Sequence, residues 1–147
     1  MSLKDIVCSA DTRPRIVKDA TRLVQEEVDA KSGLSGIAIK TAYKAVTKIK
    51  PGLIEDVVDN LLDRFVDRLE PFFKSWEEGG RKEPFDGFLT SRKSEVANAL
   101  LAVTDERARK TSHQTLRKSY EALRPQGEKN VIAAVPGLAR LMVRYVK

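Results

Sequence analysis

Side chains able to do chemistry are few in this sequence, and their spacing limits what they could do. Cys8 and His113 are its one cysteine and its one histidine, and they would make a thiolate–imidazole pair only if the fold joined them. No third residue presents itself to orient the imidazole, so the expectation is a buried thiol and a surface imidazole. A zinc site would have to draw its remaining ligands from carboxylates alone. A hard-cation site could use Glu55, Asp59, Asp63 and Asp67, which share one helical face. Carboxylates four residues apart on a helix stand about 6 Å from each other, and the Glu-x-x-His pairs that complete a di-metal bundle do not occur. The expectation is therefore no metal, no cofactor and a solvated acidic face.

Two further segments have the residue types for anion recognition. Lys31-Ser-Gly-Leu-Ser-Gly36 opens a helix with glycines, as phosphate-binding helix starts do. It lacks the Gly-x-x-x-x-Gly-Lys-Ser/Thr order and a preceding parallel strand, so it reads as a C-cap glycine and a tight turn. Arg107, Arg109, Lys110, Arg117 and Lys118 cluster within segment 104–124, and Ser112-His-Gln-Thr-Leu-Arg-Lys118 has the polar look of a DNA-recognition helix. Ala108 and Ser112 stand only four apart, which is short for the turn between two such helices, so nucleic-acid binding is the alternative and not the first reading.

The elements that must position these groups are helical almost from end to end. Apolar residues recur at spacings of three and four, and nothing alternates with period two for long enough to be a strand. The pattern predicts an all-α, compact multi-helix bundle of six to eight helices, some kinked at proline, forming one domain over residues 1–147. A helix starts near Pro14, buries Ile16, Val17, Ala20, Leu23, Val24 and Val28, and stops at Gly33, with a loop over 32–36. Two helices flank Pro51-Gly52, and Pro71 should kink the second before Phe72, Phe73 and Trp76, which with Phe85 and Phe88 read as core. Thr104 is predicted to cap a helix start, as is Ser112; Pro125 and Gly127 should stop the helix that Ser112 opens. The last segment keeps Val131, Val135, Leu138, Met142 and Tyr145 in phase across Pro136, as a kinked helix or two abutting ones, and its core positions outweigh a membrane-surface role beside Arg140 and Arg144.

The helices around Pro51-Gly52 carry stripes of opposite sign. Lys40, Lys44 and Lys48 repeat every four residues on the first, and Asp59, Asp63 and Asp67 on the second. At about 100° per residue both stripes lie opposite the apolar arcs, so with those arcs turned inward neither stripe can meet the other within one molecule, and both should face water. Such faces serve partners: a protein partner or a second copy of the chain.

Charge and length set the remaining bounds. The net charge is +6, but its distribution is uneven: residues 1–50 hold ten basic against six acidic side chains, residues 51–80 three against eight, and residues 81–147 fourteen against seven. A chain of 147 residues, 41% hydrophobic and 33% charged, can bury a sizeable core. No apolar run approaches the roughly 18 residues of a membrane span, so a membrane partner is not expected. Met-Ser-Leu-Lys-Asp-Ile-Val lacks a secretory signal's apolar stretch, and the lone cysteine suits a reducing compartment, which together make the cytoplasm the expected location.

In Lys31-Ser-Gly-Leu-Ser-Gly36, Leu100-Leu-Ala-Val-Thr-Asp105 and Arg117-Lys-Ser-Tyr-Glu-Ala-Leu-Arg124 the chain resembles a group of small uncharacterised all-helical bacterial proteins of unknown function. That resemblance implies an all-helical domain and supplies no site. The sequence thus predicts a non-catalytic binding or assembly protein, with nucleic-acid binding second and an enzyme third.

Overall fold

The computed structural model describes residues 2–146, Ser35 by its backbone alone. The chain is all-α, with eight α-helices among the described residues: α1 (Leu3–Val7), α2 (Arg13–Ala30), α3 (Gly33–Thr47), α4 (Leu53–Glu78), α5 (Phe85–Thr90), α6 (Lys93–Lys110), α7 (Gln114–Leu123) and α8 (Gly127–Val146), with a 3-10 turn at Arg124–Gln126.

α4 and α8 are the spine, because α1, α2, α5 and α6 all pack against one or both of them. Their arcs meet in a continuous core that includes Ile16, Leu62, Val66, Leu69, Val135 and Met142. At one end sits an aromatic cluster: Phe85 lies 5.7 Å from Phe73 edge to face, 4.9 Å from Trp76 and 6.4 Å from Phe88. The indole N–H donates to the Glu83 carbonyl at 2.6 Å, which ties the 79–84 loop to α4. Loop and cluster hold each other.

α3 and α7 behave differently. They pack chiefly on each other, and of their large apolar residues only Ile39 is buried. On α3, Leu34 and Ile37 stand in solvent, 88% and 63% exposed. The pair forms an outer layer laid against the bundle.

Several boundaries differ from the sequence expectation, each for a local reason. α1 has no counterpart in it: five residues are too few to show a period, but Ser2 and Asp5 form a capping box, and the Leu3 and Lys4 N–H groups donate to the Glu70 carboxylate at 2.9 and 3.3 Å. Residues 33–36 are not a loop but the first turn of α3. Thr104 caps nothing. It lies inside α6, just after buried Leu101 and Val103, and its hydroxyl reaches the Leu101 carbonyl at 3.1 Å, the back-bonding that lets threonine sit within a helix. His113 and not Ser112 is the N-cap of α7, and Gly127 begins α8 where it was expected to end a helix. Pro71 and Pro136 each lie inside one helix.

Candidate ligand-binding site

The outer layer does not close tightly on the bundle. Between α2, α3, α6, α7 and α8 lies a gap of about 330 Å³ with walls made by Leu23, Val24, Val28, Ile39, Leu123 and Ala134. It adjoins a wholly apolar gap of about 200 Å³ deeper among α2, α4, α6 and α8, and the two share Leu23, Val24, Val131 and Ala134. A third, of about 140 Å³, lies between α4, α6 and α7 beside Leu61, Leu116 and Tyr120. Interiors normally leave few voids larger than a water molecule. The cause here is visible in the side chains: Thr104, Ala108, Gly127 and Ala134 are small, and α7 sends no residue fully inward.

One polar network stands at the rim. The Tyr120 hydroxyl donates to Asp105 Oδ1 at 2.5 Å and lies 2.7 Å from Thr104 Oγ1. Asp105 also takes a two-pronged bond from Arg124, Nε to Oδ1 at 2.8 Å and Nη2 to Oδ2 at 3.1 Å. That guanidinium, first, and the tyrosine hydroxyl hold the Asp105 carboxyl below its usual range against the effect of burial. Burial, reinforced by Asp105, pushes the Tyr120 phenol up to about 12. Beyond the network, α6 and α7 diverge around an open groove of about 760 Å³ lined by Arg109, Arg117 and Glu121 as well as by Asp105, Tyr120 and Arg124. Arg117 donates to the Thr111 carbonyl, which closes the α6–α7 turn, while buried Thr111 accepts from the His113 N–H through its hydroxyl at 3.3 Å.

The other sequence candidates fall elsewhere. Lys40 and Lys44 are exposed on α3 and Lys48 at its C-cap, and none of them meets Asp59, Asp63 or Asp67. Asp59, Asp63 and Asp67 do not simply face water, as expected: Arg13 bonds Asp59 at 2.9 Å and Asp63 at 3.1 Å, and Lys4 bonds Asp67 at 3.2 Å. The stripe is where the N-terminal segment docks, and that packing is invisible in the periodicity of α4 alone. Among the described residues no three metal-ligating side chains converge. Cys8 ends α1 beside Asp63, where burial first and that carboxylate second push its thiol up to about 11, far from a reactive thiolate. His113 is exposed at the start of α7. Of the basic cluster, Lys110 pairs with Glu106 at 2.9 Å, and Arg107, Arg109 and Lys118 make no ion pair among the described residues.

Arg117, Tyr120 and Arg124 recur at three and four on α7 and its exit, a signal in the sequence for one shared face; that Asp105 meets this face from α6 is a pairing across two helices that neither helix's pattern carries. Asp63 and Asp105 also set an acid response. Both have folded pKa values depressed below the ordinary 3.8, led by Arg13 and Arg124 respectively, so their contribution is complete above that value and is lost as pH falls through the lowered one. Both are partly exposed, and a pair of this kind contributes about 0 to 1 kcal/mol. Thermal denaturation should therefore show Tm level from pH 7 to 5 and falling below pH 4, with a shallower fall in Asp105→Asn; an identical acid slope in that variant would show that the pair is not the source.

No helix among the described residues is long and apolar enough to cross a membrane. The model of a family of unknown function, DUF6918, matches residues 3–146. No curated protein and no solved structure matches the chain.

Proposed function

The chain belongs to the DUF6918 family of unknown function, and we propose that it is a non-catalytic binding protein whose site is the apolar gap beneath α3 and α7. The single observation that carries this reading is the gap itself. About 330 Å³ of space lined by aliphatic side chains, with one polar network at its edge, has the size and lining of a ligand pocket. A void of that kind left empty forfeits dispersion contacts, and a ligand with an apolar body restores them. The raised thiol of Cys8, set beside Asp63 of α4, favours binding over covalent chemistry. The lone thiol also fits a cytoplasmic setting.

Assembly through the two charge stripes is less favoured, because Arg13 and Lys4 already engage the aspartates that a second copy's lysines would need. Nucleic-acid binding is less favoured, because Lys110 is paired with Glu106 and Arg117 gives an N–H to the Thr111 carbonyl, which leaves Arg107, Arg109 and Lys118 of the cluster without an ion pair or side-chain hydrogen bond among the described residues.

Nile red, a neutral apolar dye, tests the reading. It should bind saturably with one molecule per chain, and Ala134→Phe, which fills the space that both inner gaps share, should abolish the signal. Ala134→Leu, a smaller intrusion, should weaken it. Absence of saturable binding, or binding equal in all three folded proteins, would remove the gap as the site.

A further inference from the structure

We infer that the ligand of this gap is an amphiphile with an anionic head, its apolar body lying between α2, α3, α6 and α8 and its head held in the α6–α7 groove by Arg109 and Arg117. The inference rests on the reading of the gap as a binding site and adds the chemistry of the ligand. Gap and groove adjoin, since Tyr120 and Arg124 line both. A molecule whose tail fills the first emerges beside the second.

The charges at that exit are unequally committed. Arg124 is spent on Asp105 through both of its prongs. Arg109 makes no ion pair among the described residues, and Arg117 gives one N–H to the Thr111 carbonyl and keeps the rest of its guanidinium for other acceptors. Glu121 is the one acid of the groove without such a partner. With Asp105 and Arg124 cancelling, two cations face one anion, a surplus that favours a negative head. The opposite edge of the gap offers no such surplus, because Lys31 there lies 4.0 Å from Glu27. A neutral or cationic head would leave that surplus in place. Carboxylate and phosphate both satisfy two guanidinium groups, as planar or tetrahedral acceptors.

The test titrates the full chain with decanol, decanoate and decyl phosphate, each by displacement of Nile red. Decanoate or decyl phosphate should bind about tenfold more tightly than decanol, as charge-assisted hydrogen bonds exceed neutral ones, and the advantage should shrink as salt is raised. Whichever anion binds more tightly identifies the head as carboxylate or phosphate. In the double variant Arg109→Gln, Arg117→Gln the anion-to-alcohol ratio should fall to near one. The double variant Lys74→Gln, Lys93→Gln, which removes the same charge outside the groove, should keep the ratio of the parent. Equal binding of alcohol and anions by the parent, or a ratio unmoved by the arginine variant, overturns the head assignment while leaving the gap as the site. If none of the three binds, the gap reading falls and this inference with it.

Discussion

Replacing Phe85 by alanine is expected to cost about 3 to 5 kcal/mol, the usual range for removing a large aromatic ring from a core. The ring is 1% exposed and touches Phe73, Trp76 and Phe88, so its loss strips three neighbours of their contacts at once. The backbone there has little room to collapse. α5 is six residues long, packs on α8, and is preceded by the loop that the Trp76 indole holds through the Glu83 carbonyl. Against a total stability of about 5 to 15 kcal/mol for a domain, this single change removes about a fifth or more. Urea denaturation followed by far-UV circular dichroism measures the loss, and Trp76 fluorescence should shift to the red in the folded variant. A cost under about 1 kcal/mol would mean that the aromatic cluster is not a core.

The second large effect is expected at Gly36, where alanine should cost about 1 to 3 kcal/mol, as overpacking does elsewhere. A Cβ there would stand 2.7 Å from the Lys31 carbonyl carbon and 2.9 Å from its oxygen. Those are backbone atoms, so no rotamer change relieves the clash and the start of α3 must move away from the end of α2. Ile39, the buried large apolar residue of α3, rides on that turn and walls the gap. The variant should therefore also lose amide protection in α3 and α7 before the rest of the bundle, by hydrogen exchange. Gly87 is the contrast. Its Cβ would meet only the end of the Glu83 side chain at 3.7 Å, and Gly87→Ala should stabilise by about 0.4 to 1 kcal/mol. Equal effects at the two glycines would contradict the close approach.

The long helices and most of the core were set by the sequence alone. Helical periodicity marks α2, α4, α6 and α8 because each buries a wide arc against the spine, and a buried arc must recur with the turn of the helix. Ile16, Val17, Val135 and Met142 were legible for that reason, and so were the aromatics Phe73, Trp76, Phe85 and Phe88. Helix ends were less legible: Thr104 and Ser112 have the side chains of caps, but whether a threonine starts a helix or bonds back inside one depends on the preceding Leu101 and Val103 being buried, which is a fact of packing. The tertiary structure alone decided where charges meet. Arg13 and Asp59 are 46 residues apart, Tyr120 and Asp105 fifteen, and periodicity within one helix holds no information about which helix lies opposite. The gap beneath α3 and α7 is the extreme case. It is space that no residue fills, arising because two amphipathic helices pack mainly on each other and the bundle meets them with small side chains on α6 and α8, and a sequence records side chains but not the distances between the elements that carry them.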